Sequence, residues 1–137
     1  MSKIYTVVLL ILAVALLTSA CAPSMPAPTA APATSVTVGQ LAEQGKTVLA
    51  TKGSCHGENG QGFKAPAIIG SNAQMAKYNN AKQLLDYISS TMPANAPGSL
   101  TQQEYVQVLC FILRQNKFVS ADTAIDPNQL ERITLKK

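Results

Sequence analysis

A glycine-rich stretch from residue 53 to residue 70 constrains the fold of this chain more than any other feature. It holds five of the chain's eight glycines and reads as an irregular loop. Glycines permit the backbone turns that wrap a flat ligand. Within this loop, Cys55 is followed directly by His56, the only histidine of the chain. A thiol next to an imidazole places a covalent handle beside a strong metal ligand.

The segment before this loop has the apolar periodicity of a helix from about Val38 to Thr51. Gly45 falls on the apolar face of this predicted helix, where glycine costs roughly 1 kcal/mol relative to alanine. Such a cost suggests that another helix passes close to Gly45.

Capping-box pairs predict where the later helices begin. Two pairs begin short helices after the loop, the second of which ends before Pro93, and a third pair begins a longer helix that ends near Asn116. The pairs are Ser71 with Gln74, Asn80 with Gln83, and Thr101 with Glu104. Residues 122–137 read as a tail laid over the domain. The expected fold is therefore all-α, with about four helices.

The N-terminal residues read as a leader. Lys3 is followed by an apolar run of fourteen residues, 4–17, whereas a membrane span needs roughly 20. We therefore interpret residues 1–20 as a signal peptide. The sequence Ser19-Ala20-Cys21 at its end looks like a bacterial lipobox, whose cysteine is lipidated; ordinary cleavage nearby with an idle Cys21 thiol is the alternative. Residues 21–36 form a Pro/Ala-rich tether, which leaves 37–137 as the folded domain.

The charge of the chain is mildly basic and gives no sign of a nucleic-acid partner. Eleven Lys and Arg against seven Asp and Glu give a net charge of +4. These charges are spread along the chain, with no basic run to follow phosphates and no interleaved aromatic residues to stack on bases. Binding to nucleic acid is not expected.

The three cysteines, at positions 21, 55 and 110, do not read as a disulfide framework, because the set is odd and sparse. Cys110 lies within the apolar pattern of the last helix, which favours a small buried thiol. A Cys55–Cys110 disulfide is the alternative.

The Cys-His pair is also the second half of the c-type haem attachment signature, Cys-x-x-Cys-His. Lys52 stands where the first cysteine of that signature would be. Further segments agree in order: Gly57, Gly60 and Gly62; Lys64-Ala65-Pro66-Ala67-Ile68-Ile69-Gly70; Tyr87-Ile88; Thr91-Met92-Pro93; and Pro97-Gly98-Ser99-Leu100-Thr101. With these segments, residues 39–135 resemble the small class I c-type cytochromes.

This resemblance implies a cofactor and a set of residues that bind it. The cofactor is one haem c, held by a single thioether at Cys55, with His56 and Met92 as the iron ligands. The Pro66 carbonyl accepts a hydrogen bond from the second ring nitrogen of His56, and Ile68 gives an apolar contact. The implied fold places the helices around one haem, with the N- and C-terminal helices crossing.

The implied function is that of a membrane-tethered electron carrier. Met/His ligation leaves no open iron position for a substrate, so an enzyme is not expected. The chain would be a monomer, anchored through lipid on Cys21 at the outer face of the cytoplasmic membrane or in the periplasm. It would shuttle single electrons between respiratory or photosynthetic redox proteins.

Other functions remain open at this stage. One is a haem-free lipoprotein that binds Cu(I) through Cys55, His56 and Met92, which are soft or borderline ligands. Another is a cytochrome variant that does not load haem, because the attachment machinery generally reads both cysteines. A thiol-nucleophile enzyme using Cys55 and His56 ranks last, since no third orienting group is evident.

The spacing around the missing cysteine differs from that of the family. Class I cytochromes usually have one residue more than the ten steps from Gly45 to Cys55. This difference favours a one-residue deletion between Lys52 and Gly53 over a simple substitution at Lys52. A deletion would rotate Gly45 and Leu49 away from the terminal helix, since each residue turns a helix by about 100°.

Overall fold

The structure is a computed structural model that describes residues 36–136. The predicted signal peptide, Cys21 and all of the predicted tether except Val36 lie outside these residues. No helix within residues 36–136 is both long enough and apolar enough to cross a membrane.

Residues 36–136 form a small all-α domain, as the sequence predicts. Its three substantial helices are α1 (Val38–Lys52), α2 (Ala81–Thr91) and α3 (Gln102–Gln115). Three short 3₁₀ helices accompany them, at Ser54–His56, Met75–Lys77 and Pro127–Arg132. This part of the chain has no strands, only two isolated bridges, Thr37 with Ala124 and Asn80 with Thr134.

The predicted start of the terminal helix is confirmed at Thr101. The Thr101 side chain accepts from the backbone N–H of Glu104, and the Glu104 carboxylate accepts from the N–H of Thr101, at 3.2 Å and 2.9 Å. A second complete capping box, which the sequence analysis missed, begins α1 at Thr37 and Gln40. Side-chain caps of this kind are typically worth about 1 kcal/mol each, so both helices have well-defined starts.

Of the other two predicted capping boxes, one is only half formed and one is absent. Asn80 does cap α2 by accepting from the N–H of Gln83, but the Gln83 side chain accepts from Asn79 instead of completing the box. The prediction that a helix starts at Ser71 is wrong. Residues 71–72 form a turn after Gly70, residues 73–74 are irregular, and the short 3₁₀ helix begins only at Met75, without a side-chain cap.

Helices α1 and α3 pack against each other, and Gly45 is the point of closest approach that the sequence analysis expected. A Cβ atom at Gly45 would overlap the backbone carbonyl of Gln107 and lie 2.9 Å from the backbone nitrogen of Val108. Only glycine lets the two backbones come this close. The predicted rotation of this face away from the terminal helix is therefore wrong, since Gly45 faces α3 and Leu49 is buried.

The apolar core is centred on α3 and is closed by the C-terminal tail. Leu109, Phe111 and Leu113 of α3 are at most 2% exposed, and Leu130 and Leu135 of the tail are each 1% exposed. Fully burying one such side chain contributes roughly 1.5–3 kcal/mol. The prediction that the tail lies over the domain is therefore confirmed.

The two cysteines in the described part of the chain are both free. Cys110 is completely buried in α3, as the apolar pattern predicts, whereas Cys55 is exposed. Burial raises the pKa of the Cys110 thiol to about 12, so it stays protonated near neutral pH. The alternative of a Cys55–Cys110 disulfide is wrong.

Candidate functional site

The candidate site is a largely apolar cavity of about 430 Å³, within the range of roughly 300–1,000 Å³ typical of small-molecule and cofactor sites. The glycine-rich loop, α1, α2 and α3 all contribute to its wall. Its apolar lining includes Leu49, Ile68, Leu84, Ile88, Val108 and Ile112.

All five residues predicted to bind a cofactor line this cavity. Cys55 and His56 come from the short 3₁₀ turn after α1, and Pro66 and Ile68 come from the following loop. Met92 follows directly on α2, at the position where that helix ends. Three segments that are separate in sequence therefore bring the predicted residues to one space.

His56 is held in one orientation by the loop that follows it. Its Nδ1 atom lies 2.7 Å from the carbonyl oxygen of Pro66, which is the contact expected from the sequence resemblance. A carbonyl can only accept a hydrogen bond, so in the neutral imidazole the proton is on Nδ1 and the lone pair is on Nε2. The imidazole is thus oriented to offer Nε2 as a ligand. Metal-binding histidines are commonly oriented in this way, by a hydrogen bond from the ring nitrogen that does not bind the metal.

Backbone hydrogen bonds keep Pro66 in place opposite His56. The N–H of Ala65 donates to the carbonyl of Cys55 at 2.8 Å, and the N–H of Gly62 donates to the carbonyl of His56 at 2.7 Å. Gly62 has a φ of 96°, a conformation that side-chain-bearing residues rarely adopt. The loop thus folds back on the Cys-His pair because a glycine allows the turn.

Met92 is positioned from both sides by neighbouring helices. Its backbone N–H donates to the carbonyl of Ile88 in α2, and its own carbonyl accepts from the hydroxyl of Tyr105 in α3 at 2.7 Å. Tyr105 is buried, so this hydrogen bond links the end of α2 to the wall of the cavity. The Met92 side chain is half-buried and packs against the core.

Asn116, at the end of α3, is a positioning residue that the sequence analysis did not single out. Its side-chain oxygen accepts from the N–H of Gly70 at 3.1 Å, and its side-chain nitrogen donates to the carbonyl of Ile68 at 2.9 Å. The two bonds tie the far end of the glycine-rich loop to the terminal helix. No local pattern signals them, because the partners are 46 and 48 residues apart.

Lys52, three residues before Cys55, is the last residue of α1 and lines the cavity. Its ammonium lies 2.6 Å from a carboxylate oxygen of Glu104. The hydrogen bond from Lys52, followed by the one from the Thr101 backbone, lowers the pKa of Glu104. The lysine thus joins the end of α1 to the start of α3 at this corner of the cavity.

The donor atoms around the cavity are few and belong to different elements. Across residues 36–136 there is no group of three or more His, Cys, Asp or Glu side chains that could hold a metal ion. The imidazole, thiol and thioether groups that line the cavity are those of His56, Cys55 and two methionines, Met75 and Met92. The fold and the site together define a small helical domain whose loop and helices enclose an apolar ligand cavity.

Comparison of the chain with protein-family models, with curated proteins and with solved structures finds no match.

Proposed function

We propose that this chain is a membrane-tethered electron carrier of the class I c-type cytochrome kind, and that its cavity binds one haem c. The observation that carries this proposal is the convergence of Cys55, His56, Pro66, Ile68 and Met92 on one cavity. The sequence resemblance alone predicts these five residues. Their meeting in a largely apolar space supports a common role.

The donor set of the cavity fits a haem. Cys55 would carry the thioether, and Nε2 of His56 and the sulfur of Met92 would bind the iron. The hydrogen bond from His56 to Pro66 leaves Nε2 available for this task. Leu49, Ile88 and the other apolar side chains exclude water from the interior. Haem iron, when bound, supplies reversible one-electron chemistry, and His/Met ligation raises its reduction potential.

Electron transfer suits this arrangement better than catalysis. With His56 and Met92 both bound to the iron, no iron position would be left for a substrate. Cys55 is exposed, so one edge of the cavity is open to approaching redox proteins. The predicted lipid on Cys21 and the tether 21–36 would keep the monomeric domain at the outer face of the cytoplasmic membrane or in the periplasm, near respiratory or photosynthetic partners.

The visible absorption spectrum of the protein purified from its own host tests this function. We expect an intense Soret band, with the α and β bands of a low-spin haem after reduction, because two strong-field protein ligands would occupy the iron. A haem-free Cu(I) protein has no such bands, and metal analysis would then find copper. A fully folded, colourless protein would contradict the proposal.

Replacing Met92 with alanine is expected to lower the reduction potential by on the order of 100 mV, because axial ligation sets haem potentials over a range of about 0.8 V. The variant should also bind added imidazole at the vacated iron position. Redox titration and imidazole difference spectra measure the two effects.

Met75→Ala is the matched control, since Met75 also lines the cavity and is buried. It should lose about 2–5 kcal/mol of stability, as large-to-small core substitutions do, with little change in potential. If Met75→Ala lowers the potential and Met92→Ala does not, Met75 is the iron ligand.

A further inference from the structure

The charged side chains that line the cavity are both positive. They are Lys52 and Lys77, and no carboxylate lines the wall. Lys52 is paired with Glu104, whereas Lys77 forms no salt bridge with any residue of 36–136. An apolar cavity with one uncompensated cation on its wall favours a ligand that carries negative charge.

Lys77 belongs to a compact group with two tyrosines, all three of which line the cavity; we name this group the Lys77 corner. Its ammonium lies 5.1 Å from the ring centroid of Tyr78 and 5.3 Å from that of Tyr87. The two rings are 5.4 Å apart and inclined at 49°. Cation–π contacts at such distances hold the ammonium in place without neutralising it.

The hydroxyl of Tyr78 adds a second donor to this corner. Tyr78 is 9% exposed, and burial raises the pKa of its hydroxyl although the neighbouring Lys77 ammonium works in the opposite direction. The hydroxyl therefore keeps its proton at neutral pH. The Lys77 ammonium can only donate to it, so the hydroxyl proton is left to donate to another group.

We infer that the Lys77 corner binds a carboxylate group of the ligand that fills the cavity. An ammonium and a neighbouring phenolic hydroxyl can both make charge-assisted hydrogen bonds to an oxyanion. The matching ligand class is a flat apolar macrocycle that bears carboxylates at one edge. For the identity of that macrocycle the inference rests on the proposed function, since haem carries two propionate carboxylates.

Four ligands separate the carboxylate contribution from the iron contribution. They are haemin, haemin dimethyl ester, protoporphyrin IX and protoporphyrin IX dimethyl ester, each titrated into the full-length chain produced without haem. The esters remove both negative charges, and the metal-free porphyrins remove the iron ligation. We expect each free acid to bind about fivefold more tightly than its ester, as an ion pair at a partly exposed site would give.

Lys77→Gln should abolish this preference for the free acids and leave the affinity for the esters unchanged. Lys64→Gln is the matched control. Lys64 also lies over an aromatic ring, 5.8 Å from the centroid of Phe63, but neither residue lines the cavity. It therefore corrects for the loss of one positive charge from the whole protein.

The possible results distinguish the inference from the proposed function. Equal binding of acids and esters overturns the inference, as does binding of neither protoporphyrin IX nor its ester, or an equal effect of Lys77→Gln and Lys64→Gln. A gain in affinity from iron, seen with acids and esters alike, supports haem ligation by His56 and Met92 independently. A carboxylate preference without any gain from iron would uphold the Lys77 corner and count against a haem protein.

Discussion

Replacing Gly45 with valine is expected to destabilise the domain by at least about 3 kcal/mol, a large part of the 5–15 kcal/mol that holds a typical domain together. The added side chain would meet the backbone of Gln107 and Val108, which cannot move aside as a flexible side chain could. Helices α1 and α3 would have to separate, and the core centred on α3 would open. Chemical denaturation followed by circular dichroism measures the loss.

Two smaller substitutions on α1 test the same helix–helix contact more specifically. Gly45→Ala should also destabilise, although alanine by itself favours a helix over glycine by roughly 1 kcal/mol. Ala50→Val serves as the control, because Ala50 is exposed on α1 and should lose only the few tenths of a kcal/mol due to helix propensity. If Gly45→Ala stabilises the protein, the close approach of the two helices at this point is wrong.

The helix packing at Gly45 could be predicted because its signal is local. A glycine on the apolar face of a helix carries a cost, and a close helix–helix contact is an ordinary reason for it. The Thr101 cap could be predicted for the same reason, since both partners of a capping box lie three residues apart. The equivalent box at Thr37 and Gln40 carries the same pattern and could have been found in the same way.

Predictions failed where tertiary contacts decide the local structure. The Ser71–Gln74 pattern has the spacing of a capping box. The preceding Gly70, however, has a φ of 80°, and its N–H donates a hydrogen bond to the side chain of Asn116 at the end of α3. The chain therefore turns at residues 71–72 and begins its short 3₁₀ helix only at Met75. A contact between residues 46 positions apart has no signal in a short window of sequence.

The residues of the candidate site also fall into those that the sequence predicts and those that it does not. Cys55, His56, Pro66, Ile68 and Met92 were found because they belong to a recognisable order of short segments. The group formed by Lys77, Tyr78 and Tyr87 was not found, although Tyr87 lies in one of those segments. The contact of a lysine with two aromatic rings depends on how α2 lies against the segment before it. The sequence could place the residues expected to hold a cofactor, but not the charge balance of the cavity wall.

The structure also bears on Lys52, which stands where the signature Cys-x-x-Cys-His has its first cysteine. Gly45 lies against α3 and Leu49 lines the cavity, so α1 is not rotated away from α3 at these positions. Any residue lost from this region would shorten the turn at Gly53 and Ser54, not rotate the helix before it. Cys55 lies at the cavity wall in either case.

Under the proposed function, Cys55 is the cysteine expected to hold a haem covalently, and Cys55→Ser should convert complete retention of haem into complete release. Serine is similar in size to cysteine but forms no thioether, so the variant should still bind haem in its native state. Denaturation in acidic organic solvent should leave haem on the parent polypeptide and extract it from the variant. The absorbance of the two phases gives the retained fraction.

Cys110→Ala is the matched control for this experiment. Cys110 is completely buried and does not line the cavity, and its raised pKa keeps the thiol protonated. Its replacement should cost some stability and leave the retained haem unchanged. If haem extracts freely from a parent protein that has a normal Soret band, the cofactor is held without a thioether. His56, Met92 and the apolar wall would then account for all of its binding.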